Sequence, residues 1–273
     1  MVTLFRLICV FLLGSQCYAW NAQGHALVAQ IALSQLTPDE LVQLERYNTA
    51  FKMGYQPKQL TQAAVWLDWL HCQETWCRDF RYYHYIDYPL SFDGTRTQPP
   101  RPINALTAIH HAREMLSRSS ATDVEKGLQL RILMHVVADL HQPMHTVSLY
   151  SKAFPKGDEG GNRFRLGTNR VADNLHAYWD RGAGFLVQHT RNKRGSLDKK
   201  AKRMLKHYPC HIEQMTMNPI LWANESFQLA KNNAYRIKPH EKPNRQYQRQ
   251  ARKITEAQLA LAGCRLGAML KMP

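Results

Sequence analysis

Apolar residues recur at intervals of three and four over most of this chain, the spacing of one helix face. The spacing predicts a first helix over 24–36 (GHALVAQIALSQL). Thr37-Pro38-Asp39-Glu40 then writes the start of a second: a hydroxyl cap, a proline at the first helical position, and acids in the first turn. Further helices are predicted over 59–70, 103–116, 123–140, 174–180, 197–207, 219–233 and 254–270. The segment 123–140 (DVEKGLQLRILMHVVADL) is long and strongly apolar, which places it at the centre. Residues 88–102 hold four prolines and a glycine and read as a loop, and 154–170 carry Gly157, Gly160, Gly161 and Gly167. The alternation of 162–166 (NRFRL) reads as one arm of a small hairpin. With no repeat, low-complexity tract or linker, the prediction is one all-α domain over residues 20–273, with at most a small β-hairpin.

The first 19 residues break this pattern. Arg6 precedes a short apolar core, Leu7 to Leu13, and Cys17-Tyr18-Ala19 puts small residues where signal peptidase reads. Residues 1–19 are therefore expected to be a signal peptide, cut between Ala19 and Trp20, with the product secreted or periplasmic. No later apolar run reaches spanning length, so no stable membrane insertion is expected, and the mature protein is expected to be a monomer. Export favours disulfides. Cys9 and Cys17 leave with the leader; Cys72, Cys77, Cys210 and Cys264 remain, allowing three pairings. Cys72–Cys77, closing a short loop, and Cys210–Cys264, joining two distant helices, is the favoured set.

Composition narrows the function. A chain that is 44% hydrophobic and 10% aromatic is not disordered as a whole. A formal net charge of +15 favours anionic partners, nucleic acid or an acidic membrane surface. The basic residues concentrate in 191–207 and 236–253, which read equally as a substrate track or as solvated helix faces.

The histidines and aspartates fall into a pattern. His135 and Asp139 are four apart on one predicted helix, and His176 and Asp180 repeat that spacing on another. His145 follows just past Pro143; Asp68 ends the apolar run AAVWLDWL; His84 sits in RYYHYIDYP; His25 lies five residues after Trp20. Any one of these reads as a hydrogen-bonded core histidine or a surface pair of little energetic value. Together, in apolar helical contexts, they would leave many polar groups buried, at ~2–7 kcal/mol for each uncompensated one. A bound metal gives each a partner, and imidazole with carboxylate but no thiolate suits zinc in a catalytic site. Spacing alone does not give the number of metals.

The segments WNAQGH (20–25), AAVWLD (63–68), HYID (84–87), LMHVVADLHQPMH (133–145), GGN (160–162) and NLHAYWD (174–180) make the chain resemble the zinc-dependent, single-strand-specific nucleases of the S1/P1 type, within the phospholipase C/P1 nuclease superfamily. The last third carries no matching motif. The resemblance implies three zinc ions (Zn2+). Asp68, His84, His135 and Asp139 would hold one, and His145, His176 and Asp180 a second. His25, Asp139 and Trp20 would hold the third, Trp20 through its terminal amine and its carbonyl. It implies hydrolysis of single-stranded DNA and RNA to 5′-phosphorylated products by a hydroxide shared between metals. Asp68 would orient or deprotonate the water and Asp139 would bridge two metals. A 3′-nucleotidase activity on nucleotides needs only the same site with a shorter substrate. Tyr85 occupies the family position of a base-stacking ring, though a core or rim aromatic is an equal reading. Where many members carry a phosphate-clamping arginine, this chain has His71; Arg78, Arg81 or protonated His71 are the candidates to replace it. Asn162 either approaches the site or caps the Gly160-Gly161 turn. Zinc-dependent phospholipase C, which shares the fold and a similar centre, is the alternative. Asp180, where those enzymes tend to carry glutamate, speaks against it.

Overall fold

The computed structural model describes residues 20–70, 74–186 and 195–271. The expected leader, 1–19, as well as His71 and Cys72, lies outside these residues. Nine α-helices are present among the described residues: α1 (Ala22–Leu33), α2 (Pro38–Ala50), α3 (Leu60–Ala63), α4 (Ala105–Ser117), α5 (Asp123–Leu140), α6 (Leu175–Asp180), α7 (Gly195–His207), α8 (Pro219–Asn232) and α9 (Arg245–Leu270). Two short strands, β1 (Tyr88–Ser91) and β2 (Val147–Tyr150), complete a mainly helical fold. No described helix is long and apolar enough to cross a membrane.

Helix α5 opens on a capping box, in which Thr122 Oγ1 accepts the Glu125 N–H and Glu125 accepts the Thr122 N–H. From Leu130 to Leu140 every residue is buried, so this half is surrounded by protein on all sides. Helices α1, α2, α4 and α9 pack around it. Gly263 lets α9 approach α1, since a Cβ there would stand 2.5 Å from Ile31 Cβ. Two apolar clusters result. The larger contains Trp20, Trp66, Leu67 and the apolar residues of α5 from Leu130 to Leu140. The smaller contains Met144, Val147, Leu175, Tyr178 and Trp179.

Two of the described arginines are buried, each with several acceptors around its guanidinium. Arg131, on α5, donates to Asn48 Oδ1 and to the carbonyls of Asn48 and Phe51 at 3.0, 2.9 and 3.1 Å. Arg265, on α9, pairs with Glu225 at 2.6 and 3.1 Å, with the Gln214 carbonyl at 3.0 Å, and with His141 Nε2 at 3.0 Å. Cys210 and Cys264 form the disulfide expected of them.

Three local expectations change. The predicted helix 59–70 breaks into α3 and a 3-10 turn, Trp66–Trp69. The break frees the Ala64 carbonyl, which accepts a hydrogen bond from His135 Nδ1 at 2.7 Å. The last helix begins at Arg245, well before residue 254, capped by Asn244 accepting the Tyr247 N–H. Its first turns are too polar to show helical periodicity, and they hold much of the second basic stretch. The extended structure is a parallel pair, Tyr88 opposite Val147, so the predicted loop 88–102 opens on a strand. The alternation of 162–166 yields only one antiparallel bridge, Arg165 to Asn174. A parallel pair between segments so far apart leaves no local signature.

Candidate metal centre

The centre lies at the seam between the two apolar clusters, on α1, the Trp66–Trp69 turn, the segment before β1, α5, the segment before β2, and α6. His135 and Asp139 point from one face of α5. Because His135 Nδ1 donates to Ala64, its Nε2 is turned inward. That nitrogen meets Asp139 Oδ2 at 3.2 Å, Asp68 Oδ1 at 3.4 Å and His84 Nδ1 at 3.0 Å. His84 Nδ1 is itself 3.1 Å from Asp139 Oδ2. The other oxygen of Asp139, Oδ1, lies 3.2 Å from His25 Nε2, and Asp68 Oδ2 lies 3.9 Å from the same nitrogen. Asp139 thus turns one oxygen toward His84 and His135 and the other toward His25.

A separate group stands across the His84 backbone. His145 Nδ1 donates to the His84 carbonyl at 2.6 Å, and the Ile86 N–H donates back to the His145 carbonyl at 2.8 Å. His145 Nε2 then faces Asp180 Oδ1 at 3.7 Å. His176 Nδ1 donates to the Gly160 carbonyl at 2.8 Å, which turns Nε2 to Asp180 Oδ2 at 3.5 Å. Gln142 locks Asp180 by donating from Nε2 to Oδ1 at 2.6 Å, while its Oε1 accepts the Met144 N–H.

These donors fit cations. Both ring nitrogens of His25, His145 Nε2, Asp68 Oδ1 and Asp139 Oδ1 are buried without a hydrogen bond. His25, His135, Asp139 and His145 have no exposed surface. Nitrogen and oxygen lone pairs converging on common points in a dry interior repel unless something positive lies between them. Among the described residues three groups have the needed convergence: His25/Asp68/His135, His84/His135/Asp139 and His145/His176/Asp180, each with donor atoms within 4.8 Å of one another. The proton equilibria agree. Burial works against a charged His135, yet the Asp139 and Asp68 carboxylates hold its pKa well above the ordinary value. Burial also opposes ionisation of Asp139, but His135 and His25 keep it well below the carboxylate range. Asp180, with less compensation, is pushed well up by burial. His141 is excluded from these groups: Nδ1 donates to the Val137 carbonyl at 2.8 Å and Nε2 accepts from Arg265. Burial and that guanidinium lower its pKa to about 3.

All the expected ligand side chains therefore meet. Trp20 is buried beside them, its Nε1 donating to the Ala138 carbonyl at 3.0 Å, and the Asn21 N–H donates to the Asp180 carbonyl at 3.1 Å. Tyr85 is half-buried next to His84. Asn162 donates its amide to the Glu159 carbonyl at 2.8 Å, closing its own turn. Arg81 lies over the Tyr82 ring at 4.6 Å and Arg101, which the motifs did not suggest, over the same ring at 4.7 Å.

The Gly160-Gly161 turn is needed in backbone form. Gly160 has φ +61°, and a Cβ there would stand 2.6 Å from the Met144 carbonyl oxygen. Gly160→Ala is expected to destabilise the metal-free protein by about 2–4 kcal/mol through left-handed strain plus that clash. Denaturant unfolding measures it, and an unchanged midpoint would refute it. Beside the turn, Asp158 accepts the Leu149 N–H and the Tyr235 hydroxyl, yet burial lifts its pKa to about 6. A raised carboxyl favours folding below its unfolded pKa, and that contribution is lost as pH rises through 6. Stability of the chelator-treated protein is therefore expected to lose on the order of 3 kcal/mol to this group between pH 4 and 7, and Asp158→Asn should flatten that part of the profile.

The sequence pattern of the S1/P1 nuclease family matches residues 20–272. The chain is similar to Endonuclease 4 of Arabidopsis thaliana, 25% identical over 92% of this chain and 88% of that protein. Endonuclease 5 of the same plant is 25% identical over 92% and 89%. Nuclease P1 of Penicillium citrinum is 25% identical over 59% of this chain and 57% of its own length.

Proposed function

Since the chain belongs to the S1/P1 nuclease family and is a phosphodiester hydrolase acting on nucleic acid, we propose that it is an exported, zinc-dependent endonuclease of single-stranded DNA and RNA that works as a monomer and leaves 5′-phosphorylated products. The single observation that carries this reading is Asp139, whose two oxygens face two separate donor groups. Asp68, His84, His135 and Asp139 hold one zinc; His145, His176 and Asp180 hold a second; His25, Asp139 and the freed terminus of Trp20 hold a third. When bound, the ions supply Lewis acidity, which makes water acidic enough to attack near neutral pH and offsets charge on the phosphate.

The protein's own groups do the rest. Asp68, with one oxygen toward His135 and the other toward His25, is placed to orient the attacking water and take its proton. Gln142 keeps Asp180 in place, and the Ala64, His84 and Gly160 carbonyls fix the histidine tautomers, so nothing reorganises during the reaction. Tyr85 stacks the base beside the scissile phosphate, a contact worth ~1–3 kcal/mol that a base held in a duplex cannot make. The same site would remove a 3′-phosphate from a nucleotide. The match to the family begins at Trp20, which supports cleavage of the leader at Ala19.

The test is cleavage of a single-stranded oligonucleotide by protein whose first residue is Trp20, with EDTA and with zinc added back. EDTA is expected to stop cleavage and zinc to restore it. No cleavage by zinc-loaded protein with Trp20 confirmed as the terminus would defeat the reading.

A further inference from the structure

Trp69 directly follows Asp68, but the two side chains go opposite ways: Asp68 is buried in the centre, whereas Trp69 is 49% exposed. A single exposed tryptophan is ordinary, but this one belongs to an exposed aromatic pair beside the centre. Trp69 packs on Tyr55, itself 39% exposed, with ring centroids 4.9 Å apart and planes at 56°.

The pair is rigidly referenced to the centre. Tyr55 sits in the loop 51–58, and that loop is tied at each end. Its Phe51 carbonyl accepts from Arg131 at 3.1 Å, its Met53 carbonyl from Trp66 Nε1 at 3.1 Å, and its Pro57 carbonyl from Asn48 Nδ2 at 3.4 Å. Arg131 lies one helical turn before His135 on α5, about 6 Å along the axis. Trp66 and Trp69 bound the 3-10 turn that presents Asp68. Two exposed lysines, Lys52 and Lys58, share the loop with Tyr55. Another exposed tryptophan, Trp76, differs in surroundings, since its Nε1 donates to the Glu74 carboxylate at 2.8 Å, a poor neighbour for phosphate.

We propose that Tyr55 and Trp69 form a stacking subsite for a nucleobase of the substrate strand, one or two nucleotides from the scissile phosphate and distinct from the Tyr85 position. The proposal rests on the nuclease reading. A fixed aromatic face beside lysines accepts any base, because every base has a π-face, while the lysines take the backbone charge. Trp69 follows Asp68 directly in the 3-10 turn, their Cα atoms ~3.8 Å apart, so the platform starts within one to two nucleotide repeats of the centre at ~3.4 Å each. Ordering the loop in advance removes the entropy cost of forming the platform on binding.

The experiment is a cycle between protein and substrate. Zinc-loaded wild type, Trp69→Ala and Trp69→Phe are given single-stranded oligonucleotides with one hydrolysable linkage and an abasic residue moved along the strand. For wild type, one abasic position within two nucleotides of the cut is expected to raise KM about tenfold. Trp69→Ala is expected to show that rise on the intact strand and no further rise at that abasic position. Trp69→Phe, which keeps a ring, should stay within about threefold of wild type. Thermal unfolding of each variant checks that the fold is intact, and an unfolded Trp69→Ala leaves the decision to Trp69→Phe and a Tyr55→Ala companion. The platform is overturned if KM for the intact strand is unchanged in Trp69→Ala, or if the abasic penalty persists in full there. Absence of hydrolysis by the wild type on every strand would instead sink the nuclease reading, and the subsite with it.

Discussion

Asp139→Asn is expected to fold, to bind single-stranded DNA, and to hydrolyse it about a thousandfold more slowly than wild type or worse. The asparagine has nearly the same shape, so the packing around α5 is kept. What disappears is the charge and one of the two oxygen donors. In the fold, Oδ2 faces His84 and His135 while Oδ1 faces His25. An amide turned either way offers an N–H to one of those imidazoles, where an electron pair is required. One variant therefore damages the donors on both sides of Asp139. The surface charge that attracts nucleic acid is scarcely altered, so binding at low salt should persist and weaken with salt as in wild type. Zinc should also raise the wild-type unfolding temperature more than that of the variant, since only a protein that binds the ion is stabilised by it. Normal cleavage by Asp139→Asn would remove the bridging role altogether.

A single residue added before Trp20 is expected to cost at least a hundredfold in activity. Trp20 is locked: its indole is buried and donates to the Ala138 carbonyl, one residue before Asp139, and the next N–H donates to the Asp180 carbonyl. Trp20 and Asn21 are thus held against both α5 and α6. A free amine there has a lone pair to give; an amide nitrogen, its lone pair spread into the carbonyl, does not. The comparison is between protein beginning at Trp20 and protein beginning Met-Trp20, with zinc content measured on both. Equal activity and equal zinc would show that the terminus is not a ligand.

Much of the donor cluster was readable along the chain because side chains that converge from one helix must share a face. The two His-x-x-x-Asp pairs carry that constraint in their spacing, and both meet where expected. The remaining side chains were placed by motif rather than by period, and His25, Asp68, His84 and His145 arrive from four separate segments. What stayed hidden is support that leaves no periodic trace. Gln142 lies between Asp139 and His145 with no periodic signal of its own, and its 2.6 Å contact shows that it restrains Asp180. Arg265, in the unmatched last third, reaches His141 across more than a hundred residues. The broken helix at 64–66 was misjudged for a related reason: its apolar run favours helix locally, but His135 claims the Ala64 carbonyl. The β1–β2 pair and the polar start of α9 escaped because neither is written in local hydrophobicity.

The burial of the donor groups has a kinetic meaning. Among their histidines and aspartates, the most exposed residue outside Asp68 is His84 at 8%, and four others show no surface at all. A metal seated among such atoms would be open only on the side that admits water and substrate, and the donors themselves could let go of it only where the packing around them opens. Release of an ion would then be set by local opening of the fold as well as by affinity, and would be slower than from the same side chains on a surface.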